Sequence, residues 1–297
     1  MGLKWDLPEY LSKVGPLVVK AEDTLTKRKS WVAFEVAGRS LFTSAMSYFG
    51  LFHPMANSLH WGMAVNTLLG EIVFAIANTQ ANVRLYRKRI KKGSRPTHIH
   101  GPASFYSGDA ILRVDACRDK LALMLLALEE PLDPEDARLP GFADTMKRLR
   151  GRESKSLTAK KAVKLLRRLE GGNFDFVKKY RRLASHRANP RVEIYGAAPH
   201  HDYPHVVLVR KADEPAFLKK LAKDYPDPTQ RQKVLDGCRI GGVLYRHKKA
   251  DRVVSYSELE RGLLRCLWKL MGCFCNAVSL CGKSLEKQHK SSITPSP

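Results

Sequence analysis

The chain has 297 residues, of which 44% are hydrophobic, and its 52 Lys and Arg against 29 Asp and Glu give a formal net charge of +23. That apolar content supplies a real core and excludes a chain that is disordered throughout. The charge exceeds what solubility needs and costs self-repulsion in the compact state, so it calls for an anionic partner. Nucleic acid comes first, because each neutralised phosphate releases condensed counterions, and anionic membrane second.

The opening residues MGLKWDLPEY carry no apolar signal core and offer Asp6 where a myristoylation enzyme wants Ser or Thr, so a cytoplasmic location is expected. A short amphipathic helix is predicted from Pro8 to about Lys27. Two long helices follow, Trp31 to Leu51 and Pro54 to about Lys92, with the break at Phe52, His53 and Pro54. The most apolar stretch, Gly62 to Asn78, is interrupted by Asn66 and Glu71 and is shorter than the ~20 residues a bilayer needs, which predicts a buried helix and no membrane span.

Gly93 to Pro102 is polar and Pro/Gly-punctuated after the basic run RLYRKRIKKGSR, and it marks the expected end of an N-terminal helical region, residues 1–100. From Phe105 the spacing of Ala110, Val114, Cys117, Leu121, Met124 and Leu128 predicts a strong helix, and acidic EEPLDPEDARLP a loop. The segment SLTAKKAVKLLRRLEGG sets Ala162, Val163, Leu166 and Leu169 against Lys160, Lys164, Arg167 and Arg168 before a Gly-Gly stop. A further basic helix is predicted from about Asn173 to Ala188, stopped by Pro190.

Between about 191 and 255 the texture changes to Pro, His and Gly with short β-like runs, HVVLVRK, GGVLYRH and RVVSY, able to pair as a hairpin, so an insertion with a small sheet is predicted. The last helix starts at the capping box Ser257-Glu258-Leu259-Glu260 and runs to about Gly282, with a disordered tail at 288–297. Its apolar stripe, Leu259, Leu263, Cys266, Leu270, Cys273 and Ala277, takes up two of the six cysteines. C-x6-C-x-C-x5-C spacing raises a metal site, but reduced core cysteines fit the stripe better.

Chemistry concentrates in YRRLASHRANPR, where Arg181 precedes His186 by four intervening residues. The helical wheel sets Arg181 beside the Val177 and Ala184 stripe, while Arg182, Lys178 and Lys179 point away. His186 stands among Arg181, Arg182 and Arg187, and like charge favours neutral imidazole, the form that acts as a general base. With ten histidines in the chain the spacing alone is weak, and the competing reading is a solvated basic face. His98, His100, His200, His201 and His205 are read as exposed polar loop residues, so neither metal nor cofactor is expected. No G-x-x-x-x-G-K-[ST], G-x-G-x-x-G or G-x-S-x-G motif is present, which leaves nucleotide-triphosphate, dinucleotide and α/β-hydrolase chemistry without support.

An R-x4-H pair near the end of a basic helix, within about four helices, resembles the HEPN superfamily. FYSGDAILRVDACRDKLALML looks like that fold's first long helix and SYSELERGLLRCLWKLMGCF like its last, so the resemblance spans roughly residues 101–287. It implies a HEPN-like helical bundle and metal-independent RNA cleavage by 2′-OH attack, with motifs of two protomers facing each other in a homodimer. Many relatives act as toxins or in phage defence, which implies an antitoxin or immunity partner. Carried over, His186 would be general acid or base and Arg181 would stabilise the transition state. Lys164, Arg167, Arg168, Lys178, Lys179, Arg182 and Arg187 are the expected nucleic-acid contacts, with Tyr86, Tyr180 and Tyr195 near for stacking. The family often has a small polar residue after the motif Arg. Arg182 stands there instead and favours the alternative, a non-catalytic nucleic-acid-binding or adaptor protein.

Overall fold

The structure is a computed structural model that describes residues 7–48, 56–91, 100–133, 136, 138–175, 177–178, 192–193, 205–248 and 254–293. It is mainly helical, as the sequence predicts, and divides into a helical unit, residues 1–189 with 256–297, and a smaller unit, residues 190–255.

In the helical unit α1 spans Leu7–Thr26, α2 Lys29–Tyr48, α3 Ala56–Lys91, α4 His100–Leu126, α5 Phe142–Arg150 and α6 Leu157–Leu166. A 3-10 turn at Arg167–Leu169 continues α6. The closing helix of the unit, Tyr256–Ile293, is designated α9, after α7 and α8 of the smaller unit. The long helices α3 and α4 pack along each other, and α9 lies against α2, α3, α4 and α6. Leu69, Ile72 and Ile76 of α3 and Ile111, Leu121 and Met124 of α4 are fully buried, which explains why α3 reads as apolar with little periodicity. Both α3 and α9 are long and apolar enough to cross a membrane by length and composition, and half of each apolar window is buried inside the bundle.

Small residues set the closest approaches. A Cβ on Gly62 of α3 would stand 2.9 Å from a Leu41 methyl of α2 and 3.3 Å from the Met124 methyl of α4, so a larger residue there would make those side chains shift. Polar residues fix the register: Ser58 Oγ donates to the Met124 carbonyl at 2.8 Å, and Tyr10 of α1 donates to Asn82 Oδ1 at 2.6 Å beside the Val14, Ala81 and Leu85 cluster. These contacts correct the boundary expected near residue 100. The helices on either side of it share one core, because the apolar faces of α3 and α4 cover each other.

The predicted α9 stripe is buried along Leu259, Leu263, Cys266, Leu270, Cys273 and Ala277. The helix extends to Ile293, beyond the predicted stop near Gly282 and into the expected tail, since SLEKQHK consists largely of residues that favour helix. The six cysteines are free thiols, four of them buried. Desolvation pushes Cys266 up to about 12 and Cys273 and Cys281 up to about 11, and it raises Cys117 as well.

The smaller unit holds β1 Val192–Glu193, β2 His205–Leu208, α7 Glu214–Asp224, α8 Pro228–Gly237, β3 Arg239–Ile240, β4 Val243–Lys248 and β5 Val254–Ser255. The order β2-β4-β3 is antiparallel, and the β3–β4 turn uses Gly241 and Gly242 at φ 57° and 78°, where a side chain would be strained. Two expectations need correction. RVVSY does not pair with the GGVLYRH strand, because Val254 and Ser255 run parallel to Val192 and Glu193. Two helices also occupy the sequence between the β-like runs, with prolines in their first turns, where a missing N–H costs nothing.

Candidate nucleic-acid interface

The basic face is built from α6 upward. Ser156 caps the helix, its hydroxyl accepting the Ala159 N–H at 3.1 Å and donating to Glu129 Oε1 at 2.6 Å. The cap sets the rotation of the helix. Ala159, Ala162, Val163, Leu166 and Leu169 are buried, and Lys160, Lys161, Lys164, Arg167 and Arg168 are exposed. The division of faces matches the sequence expectation for Lys164, Arg167 and Arg168.

Carboxylates compensate this surface unevenly. Arg148 reaches Glu130 at 3.0 Å, Arg150 reaches Glu170 at 3.1 Å and Arg152 also pairs with Glu130, so the arginines of α5 and the turn after it are largely neutralised. Arg167 has only a distant contact, 3.9 Å from Glu153. Among the described residues, no carboxylate lies within ion-pair reach of Lys160, Lys161, Lys164 or Arg168. Exposed pairs are worth ~0–1 kcal/mol each, so what distinguishes α6 is its uncompensated charge.

The structure brings one residue that the sequence reading passed over, Lys269 of α9, to the edge of this face. Arg261, Arg265 and Lys269 of α9 are exposed at i, i+4 and i+8, opposite the buried stripe. Helix α9 packs on α6, with Cys273 Sγ 3.6 Å from the Leu165 carbonyl. Arg168 and Lys269 both lower the Cys273 thiol somewhat against its burial, so these two cations flank the same seam. The signal was present in sequence as a basic i, i+4, i+8 series, set beside a stronger apolar one.

After the turn at Gly171 and Gly172, φ 68° and 57°, residues 173–175 and 177–178 are helical. Phe174 and Val177 are buried at 1% exposure and Lys178 is exposed, so this stretch is anchored on its apolar side. Arg181, His186, Lys179, Arg182 and Arg187 lie outside the described residues, as do Tyr180, Tyr195, His98, His200 and His201. Among the described residues, no three His, Cys, Asp or Glu side chains converge as a metal ion would need. The arrangement offers an array of ammonium and guanidinium groups, suited to phosphates as point charges and as two-pronged donors.

Compared with models of protein families, with curated proteins and with solved structures, the chain matches none.

Proposed function

We propose that this protein is a metal-independent endoribonuclease of HEPN type. The observation that carries this reading is the run of exposed, uncompensated cations Lys160, Lys161, Lys164 and Arg168. It immediately precedes an anchored helical segment that leads, in sequence, to Arg181 and His186. The basic face holds RNA by its phosphates. Neutral His186 removes the 2′-OH proton, the oxygen attacks the adjacent phosphorus, and the P–O5′ bond breaks as the 5′-oxygen takes a proton from water. Arg181 offers its guanidinium to the phosphorane-like transition state.

Residues five apart on an ideal helix stand ~140° apart around its axis, so a homodimer that pairs the motifs of two protomers completes such a site better than one chain. This reading includes work in the cytoplasm as a toxin or defence effector restrained by an antitoxin or immunity partner. Arg182 favours a second reading, a non-catalytic RNA-binding or adaptor protein, because a guanidinium beside the motif Arg adds phosphate affinity and does not orient the catalytic pair.

The test is incubation of RNA in EDTA with the protein and with His186→Ala. The nuclease reading expects the variant to bind RNA as before and to cleave ~10²–10⁴-fold more slowly. Equal cleavage by both overturns the assignment of His186, and intact RNA with both favours the binding reading.

A further inference from the structure

We infer that the cleft between α3 and α4 is a binding site for a small alkylammonium cation. A cavity of about 470 Å³ opens there, lined by Gly70, Glu71, Phe74, Phe105, Tyr106, Asp109 and Arg113. Its volume falls within the roughly 300–1,000 Å³ of small-ligand sites.

Three aromatic rings form its walls. Phe74 and Tyr106 meet at 84° with centroids 6.2 Å apart, and Phe105 and Tyr106 meet at 79° and 5.3 Å, so the rings stand as panels at near right angles. Phe74 and Phe105 are 50% and 69% exposed, an unfavourable state for a phenyl group that a ligand would relieve. Ring faces carry negative potential and attract weakly hydrated cations.

The charges at the rim agree. Arg113 Nε donates to Asp109 Oδ2 at 2.7 Å and its Nη1 to Glu71 Oε2, so two carboxylates and one guanidinium leave one net negative charge in a chain of +23. Each carboxylate uses one oxygen on Arg113. Among the described residues, no hydrogen bond reaches Glu71 Oε1 or Asp109 Oδ1.

Gly70 supplies an independent indication. It sits inside α3, where glycine weakens a helix, and a Cβ there would meet nothing within 4 Å, so no close packing explains it. Its effect is to leave that part of the lining without a side chain.

The experiment titrates the full chain calorimetrically with choline, with the neutral isostere 3,3-dimethyl-1-butanol and with 3,3-dimethylbutyrate. Choline should bind at least tenfold more tightly than either. Gly70→Leu, which fills open space, should weaken choline at least tenfold with no loss in thermal midpoint, and Asp109→Asn should also weaken it. Equal binding of choline and the alcohol, preference for the carboxylate, absence of choline binding, or undiminished binding to Gly70→Leu would each overturn the proposal.

Discussion

Replacing Arg118 by Leu should be among the most damaging single changes in the helical unit, and replacing its partner at the same time should rescue most of the loss. Arg118 Nη2 donates to Asp115 Oδ1 at 2.7 Å, with side chains only 12% and 3% exposed, and its guanidinium lies 4.7 Å from the Phe142 ring centroid. Removing one partner of a buried ion pair costs about 3–5 kcal/mol. At ~2–4 °C per kcal/mol for a unit of this size, the thermal midpoint should fall by roughly 6–20 °C. The pair itself is no great source of stability, because Arg118 Nε is already buried with no hydrogen-bond partner among the described residues. Asp115→Leu with Arg118→Leu should therefore lie within ~1 kcal/mol of the unmodified protein. Urea unfolding followed by far-ultraviolet circular dichroism measures all the variants. A single variant costing less than ~1 kcal/mol, or a double variant no better than the single, refutes the reasoning.

Thiol reagent at pH 8 should label Cys238 and Cys275, which are partly exposed, and leave Cys117, Cys266, Cys273 and Cys281 untouched until denaturant is added; mass spectrometry of the labelled peptides reads this out. Stability should decline at alkaline pH. The folded chain holds the Cys273 and Cys281 protons up to about 11 and buried Tyr256 higher still, against ordinary values of 9.0 and 10.0. The stabilisation is therefore complete below about pH 9 and is lost as pH rises toward 11, and denaturant midpoints from pH 8 to 11 check the sign. Reversing Lys164 and Arg168 to Glu should weaken RNA binding and lower the slope of log K against log salt by ~0.7 for each lost contact to a single strand, measured by fluorescence anisotropy at several salt concentrations.

Helices with a one-sided apolar stripe were legible in sequence down to the residue, as α6 and α9 show. Where prolines sat in first turns the reading failed. Pro215 and Pro228 were taken as loop texture and begin α7 and α8, and α4 starts at His100, ahead of Pro102, and not at Phe105. A break signal and a start signal use the same residue, and only the following periodicity separates them. The α3–α4 pairing was not legible, because a helix buried on most sides has no face that names its neighbour. For the same reason the ion pair of Glu71 with Arg113, 42 residues apart, carries no local mark. Parallel pairing of β1 with β5, two residues each, is equally invisible to propensity. The basic half of the candidate interface was legible as helix-face arithmetic for Lys164, Arg167 and Arg168. Lys269 of α9 belonged to a legible basic i, i+4, i+8 series, but its place beside Arg168 became visible only once α9 lay against α6.

The central claim, cleavage through attack of a 2′-OH, is tested most directly with two versions of one oligoribonucleotide, all-ribose and with 2′-deoxy residues replacing the ribose at the mapped cleavage site, each incubated with the protein in EDTA. The account predicts that the all-ribose strand yields a 2′,3′-cyclic phosphate end, that His186→Ala yields none above background, and that the deoxy-substituted strand binds equally well but stays intact at that site. Cleavage of the deoxy-substituted strand there, or linear phosphate ends formed from the outset, would contradict it.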